Sequence, residues 1–191
     1  HVHGKSTHVS TPHLGVDALY IASQIVVAVQ GLVTRRTSPT EPVIIGIGKL
    51  NAGTTYNAVA AFAEMEGTTR TISQESRDRV RAQVSETAQS IAALYGGTAE
   101  IEWTDFAAAL VNDPQVCEEA AQVVDELLGE GHVVTDRELS LSGDNFAEFE
   151  LYKPGAYAYL GTGNQDFPHT MITNHNGGFD VDENALVTGA G

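Results

Sequence analysis

The sequence predicts an α+β fold: a ferredoxin-like βαββαβ domain over residues 1–109, followed by an incomplete α/β segment over residues 110–191. Three observations lead there. Before residue 110 the hydrophobic periodicity runs strand, helix, strand, strand, helix, strand. Two of those runs are long helical stripes, enough to cover one face of a sheet. After Val111 helix-like and strand-like runs alternate, but the strand-sized pieces are few and short.

His1 to Val9 alternates weakly and reads as the tail of a strand. From Val16 to Leu32, apolar residues at Ala18, Ile21, Ala22, Ile25, Val26, Val29 and Leu32 mark one helix face. Asp17 at its start and Arg35 and Arg36 at its end suit the helix dipole, and Pro39 and Pro42 stop it. Val43 to Leu50 (VIIGIGKL) is a strand, and Asn51-Ala52-Gly53 a turn. Tyr56 to Thr71 predicts a second strand, with Phe62, Glu64 and Glu66 on one face and Ala61, Ala63 and Met65 on the other. Ser73 suits a helix N-cap. Val80, Val84, Ala88, Ile91 and Tyr95 form the next stripe, closed by Gly96-Gly97. Ala99, Ile101 and Trp103 alternate with polar residues as a half-buried strand would.

In the second segment, Asp113-Pro114 opens a helix carrying Val116, Ala120, Val123, Val124, Leu127 and Leu128, and Gly129 closes it. His132 to Thr135 and Ala156 to Leu160 are expected as strands. Asp144 to Phe149 is expected as a short helix or turn, and Asp182 to Ala190 as the start of a helix. The chain begins at His1 rather than Met and ends just after an apolar run, so both ends are expected to be cuts in a longer protein.

Hydrophobic residues make up 42% of the chain and charged residues 18%, a globular composition. With 25 acidic against 10 basic residues, the formal net charge is -15. Such a surface repels phosphate backbones and anionic lipid, so neither nucleic acid nor membrane is an expected partner. Cys117 is the single cysteine, which excludes an intrachain disulfide and sets the expectation of a reducing, cytoplasmic compartment.

The seven histidines are the first place to look for chemistry. His1 and His3 are two apart and share a strand face. That spacing can hold a metal ion, although a solvated strand end is the simpler reading. His8 lies in a small-residue loop, GKSTHVSTPHLG, of the kind that lets backbone and hydroxyls approach a ligand, although a polar surface loop is the simpler reading. His175 precedes NGGFDVDE, where Asp180, Asp182 and Glu183 offer carboxylates. The alternative is a glycine turn leading into a helix with an acidic first turn. Arg70, after Gly67-Thr68-Thr69, is either a solvated charge or a fork for a carboxylate. Gly46-Ile47-Gly48 and Gly161-Thr162-Gly163 lack the third glycine of a dinucleotide loop, and Cys117 reads as a packing residue.

Five segments in order, GKSTHVSTPHLGVDA, GTTYNAV, EGTTRT, LSGDNFAEF with GAYAYLGTGN, and NHNGGFDVDENAL, resemble a metallopeptidase family of the aminoacylase, hippurate hydrolase and carboxypeptidase G type. The subgroup they are most similar to is the bacterial N-acyl-amino-acid amidohydrolases. The resemblance covers essentially the whole chain. It implies a ferredoxin-like lid that forms a homodimer contact, followed by the C-terminal part of a catalytic domain. It also implies two divalent metal ions, zinc or manganese, with a bridging water that attacks an amide carbonyl and a glutamate as general base.

Residue by residue, the resemblance assigns roles as follows. His8 takes the place of a lid histidine that reaches across the dimer to an oxyanion. Asn57 and Arg70 take the places of an asparagine and an arginine that hold the substrate and its carboxylate. His175 takes the place of a metal ligand. The half of the family that carries most metal ligands and the general base has no counterpart in this chain. Gly143-Asp144-Asn145-Phe146 also stands where the subgroup has Gly-Glu-Asp-Phe. The expected function is therefore part of a metal-dependent amidohydrolase that cleaves N-acyl or aminoacyl amino acids, with this chain alone inactive. The competing expectation is a non-catalytic dimerisation or carboxylate-binding module.

Overall fold

Residues 1–190 are described here in a computed structural model. Strand β1 (Val2–His3) leads through an irregular loop to helix α1 (Ala18–Arg36). Strands β2 (Ile44–Ala52) and β3 (Phe62–Arg70) follow, then helix α2 (Gln74–Leu94) and strand β4 (Thr98–Ala99). The sheet order is β2-β3-β1-β4 and every neighbouring pair is antiparallel. This is the expected βαββαβ arrangement, with both helices packed against the sheet.

The helices form where the sequence carries their stripes. Ala18, Ile21, Ala22, Ile25, Val29 and Leu32 are buried along α1, and Val80, Ala88 and Ala92 along α2. With Val2, Val43, Ile45 and Ala63 of the strand segments they make one core. Each fully buried Ile or Val there contributes about 1.5–3 kcal/mol. By length and composition α1 is apolar enough to cross a membrane, yet its buried stripe is spent on this core. The caps match the sequence reading. Asp17 Oδ1 accepts from the amides of Leu19 and Tyr20 at 3.0 and 3.2 Å, and Ser73 Oγ accepts from Ser76 N at 3.2 Å. Gly96 takes a φ of +81° at the end of α2, a left-handed cap for which glycine is suited. Tyr95 does not continue the stripe. It caps the helix and sets its ring edge-on to Tyr20 at 5.1 Å.

Several expected strands are shorter or absent among the described residues. The second strand begins at Phe62 rather than Tyr56, because residues 54–57 turn and leave Tyr56 96% exposed. The alternation of Ala99, Ile101 and Trp103 does not extend β4. The Glu100 amide donates to His1 O at 2.9 Å and the His1 ammonium donates back at 2.8 Å, and beyond this pair there is no partner strand.

In the second segment α3 (Pro114–Leu128) forms as expected, capped by Asp113 and ended at Gly129 with φ +89°. Two short helices follow, α4 (Ala147–Glu150) and α5 (Ala185–Ala190). Neither 132–135 nor 156–160 is a strand. Instead the Asn112 side chain does for Tyr157 what a neighbouring strand would do. Its Nδ2 donates to Tyr157 O at 3.1 Å and its Oδ1 accepts from Tyr157 N at 2.9 Å.

Carboxylates on α4 hold the residues just before Asn112. Glu148 accepts from Ala108 N at 2.7 Å and Glu150 from Val111 N at 3.2 Å. The basic face of α2 then holds the preceding residues. Arg77 and Arg81 both bridge to Asp105, Arg77 donates to Ala107 O at 2.8 Å, and the Arg81 guanidinium lies 5.2 Å from the centre of the Trp103 ring.

Candidate functional site

The sequence-predicted residues fall into three places. The first joins His8 and Asn57. The chain from Lys5 to Val9 runs antiparallel to 57–59: Val59 N donates to Thr7 O at 2.8 Å, Val9 N donates to Asn57 O at 3.2 Å, and His8 bridges to Ala58. An isolated bridge thus pairs two loops far apart in sequence. His8 is exposed, and its Nδ1 faces Ser10, whose Oγ lies 2.7 Å away. Asn57 Oδ1 accepts from Thr55 Oγ1 at 3.3 Å. Both residues lie beyond the ends of the central strands β1 and β3. Ser10 was not singled out from the sequence, although its place two residues after His8 in an open loop was the available signal.

Arg70 is elsewhere. It ends β3 opposite Ile44, while His8 and Asn57 lie beyond the Phe62 end of the same strand. Eight steps at 3.4 Å separate the two ends of β3 by about 27 Å. A single copy of the chain therefore does not bring the three residues together. The Arg70 guanidinium instead lies against Gly143, where a Cβ would meet Nη1 at 2.8 Å. Around it opens a cavity of about 1250 Å³ lined by Arg70, Arg77, Phe106, Gly143, Asp144 and Tyr157, among others.

Asp144 gives this wall its shape. Its Oδ1 accepts from Phe146 N at 2.8 Å and its Oδ2 from the Tyr157 hydroxyl at 3.2 Å. The negative charge of Asp144 pushes the Tyr157 phenol above its ordinary value. Asp144, the first of the two positions at which Gly143-Asp144-Asn145-Phe146 departs from Gly-Glu-Asp-Phe, therefore sits in the wall of the cavity that Arg70 faces.

His175 sits apart from both. It is exposed in a turn and adopts a φ of +61°, uncommon for a residue with a side chain. Two of the carboxylates after it, Asp180 and Asp182, are otherwise engaged. Asp182 accepts from Asn164 Nδ2 at 2.7 Å and from both nitrogens of Asn184, and the Asn164 bond leads in holding its carboxyl below the usual range. Asp180 meets His169 at 3.7 Å. Among the described residues no group of three or more His, Cys, Asp or Glu side chains is placed to hold a metal ion. His1 and His3 share a face as expected and flank the Phe62 ring at 5.7 and 5.4 Å. They meet different carboxylates, Glu64 at 3.5 Å and Glu100 at 3.9 Å, and so make no cluster.

This βαββαβ domain, with an exposed His8 and a half-buried Asn57 beyond the ends of its two central strands, can be set beside known proteins. The profile of the peptidase dimerisation domain matches residues 1–96. The chain belongs to the M20 peptidase dimerisation domain family. Among its relatives, thermostable carboxypeptidase 1 of Saccharolobus solfataricus is 33% identical over 190 residues, which is 99% of this chain and 47% of that protein. N-acetyl-L-cysteine deacetylase of Bacillus subtilis is 31% identical over 97% of this chain and 42% of its own length. The YXEP protein of Bacillus subtilis, described as a dinuclear metal binding peptidase, superposes with a TM-score of 0.73 at 27% identity, over 98% of this chain and 46% of that one. The M20 chain thus spans about half the length of the curated relatives it matches.

Proposed function

We propose that the chain is the lid and a C-terminal part of a metal-dependent amidohydrolase that cleaves the amide bond of N-acyl or aminoacyl amino acids as a homodimer. The observation that carries this is the division of labour along β3. His8 and Asn57 stand at one end and Arg70 at the other, so a site using all three has to draw on two copies. The Arg70 fork suits the carboxylate of an acyl amino acid. A histidine donor suits the oxyanion that forms when its amide is attacked. Two of the relatives are named a carboxypeptidase and an N-acetyl-L-cysteine deacetylase, which agrees with amide cleavage.

Two metal ions, zinc or manganese, belong to this reading, with His175 as one ligand. The described residues do not by themselves fit such a pair, because His175 meets no second and third ligand. A catalytic zinc takes three. The 191-residue chain alone is therefore expected to be inactive and to retain little metal.

The test is hydrolysis of N-acetyl amino acids by the longest reading frame that encodes the chain, after loading with zinc or manganese, beside the isolated chain. In the longer protein His8→Ala is expected to lower kcat by about 10²–10³. Hydrolysis by the isolated chain that depends on His175 overturns the division of roles. A longer protein that binds acyl amino acids without cleaving them favours the binding-module reading.

A further inference from the structure

The imidazole of His8 is held on one side by its own loop. Ser10 N donates to His8 Nδ1 at 3.2 Å, and Ser10 Oγ lies 2.7 Å from the same nitrogen. A main-chain N–H can only donate, so this bond needs a lone pair on Nδ1. The neutral ring then carries its proton on Nε2, and the Ser10 hydroxyl donates to Nδ1 as well.

The loop is built to keep this geometry. Thr11 N and Thr11 Oγ1 both donate to His8 O, at 2.9 and 3.2 Å, closing the turn from His8 to Thr11. Thr7 Oγ1 and Thr11 Oγ1 lie 3.1 Å apart across it. The bridge to Ala58 secures the backbone from the other side. With the main chain fixed, rotation of the ring is the freedom left, and the two Ser10 contacts to Nδ1 restrict it.

We propose that Ser10 is a positioning residue whose hydroxyl holds His8 in the Nε2–H tautomer, with Nε2–H facing away from the loop as a hydrogen-bond donor. The tautomer decides the sign of the interaction. A developing oxyanion is stabilised by Nε2–H, whereas the other tautomer presents a lone pair to it. The purpose of the arrangement rests on the amidohydrolase reading, but the tautomer itself can be measured without hydrolysis.

The experiment is long-range ¹H–¹⁵N spectroscopy of the ¹⁵N-histidine-labelled chain at about pH 8, where an ordinary imidazole is neutral. The His8 signals are identified by their loss in His8→Gln. The expected result is a protonated Nε2 and a lone-pair Nδ1 in the wild type. Ser10→Ala is expected to shift Nδ1 toward the position of a freely exposed histidine, and Ser10→Thr to restore it. If Ser10→Ala disturbs the loop, Ser10→Cys keeps its shape while weakening the donor, and the same Nδ1 shift is expected. A protonated Nδ1 in the wild type, or nitrogens unmoved in the folded Ser10 variants, overturns the proposal. Either result stands whether or not the longer protein hydrolyses amides, so the two readings fail separately.

Discussion

The guanidinium of Arg70 lies so close to Gly143 that a Cβ added there would come within 2.8 Å of Nη1. Arg70 ends a strand of the βαββαβ domain, whereas Gly143 lies beyond α3 in the loop before α4. The contact carries the arginine out of the sheet and into the wall of the large cavity.

Replacing Gly143 by Ala should therefore move Arg70 and leave the fold intact. The far end of an arginine side chain can swing aside, and Gly143 does not have a positive φ. The expected change in stability is within about 0.5 kcal/mol. In the longer protein KM for an N-acetyl amino acid should rise while kcat changes little, because a displaced fork loses carboxylate binding. Thermal unfolding and steady-state kinetics check the two halves of this expectation. A fall confined to kcat, with KM unchanged, would detach Arg70 from binding.

The separation of His8 from Arg70 predicts complementation. His8→Ala and Arg70→Ala copies should each be weak alone, assayed below saturating substrate. Mixed dimers hold one site with both residues intact. Random pairing is expected to restore about a quarter of wild-type activity. Co-expression with two different affinity tags measures it. No recovery in purified mixed dimers would place both residues in one copy's site.

Asp105 is the acid-sensitive link between α2 and the residues that follow the sheet. The Arg81 hydrogen bond, helped by the charges of Arg77 and Arg81, holds its carboxyl below the ordinary value of 3.8. A depressed carboxylate contributes stability above its unfolded value and loses it as pH falls through the folded one. The effect should be confined to the region below about pH 4 and be small, since Asp105 is exposed. Trp103 is the single tryptophan and stacks on Arg81, so its emission reports the release. The low-pH change in fluorescence should vanish in Asp105→Asn.

Asn112 should matter more than an ordinary half-buried asparagine. Asn112→Ala removes both bonds to the Tyr157 main chain and leaves those groups without a partner. The expected cost is about 1–3 kcal/mol. Amide exchange at Tyr157 should quicken before that of the α1 core, where Ile21 and Val29 are fully buried. Equal acceleration at both places would mean that the two regions unfold as one.

Much of this molecule can be read locally. The stripes of α1, α2 and α3, the caps at Asp17, Ser73 and Asp113, and the glycine stops at Gly96 and Gly129 follow from residues within a turn or two of one another. The strand order followed as well, since two helices between four strands leave few ways to cover a sheet. Alternation misled where no partner strand existed. Ile101 and Trp103 alternate as a strand would, yet pairing stops with His1 and Glu100. The AYAYL run found the side chain of Asn112 instead of a backbone.

For the candidate site, the sequence by itself determined which residue types are present: an open-loop His8, an Asn57, a strand-end Arg70 and a turn histidine at 175. Only the tertiary structure decided their grouping. His8 and Asn57 come to neighbouring backbone positions because antiparallel pairing aligns Thr7 with Val59, and Arg70 is carried away from both by the length of β3. The reason is physical. Periodicity records which face of an element is buried, a short-range property. Distances between elements depend on long-range backbone pairing, and one residue of register changes every neighbour.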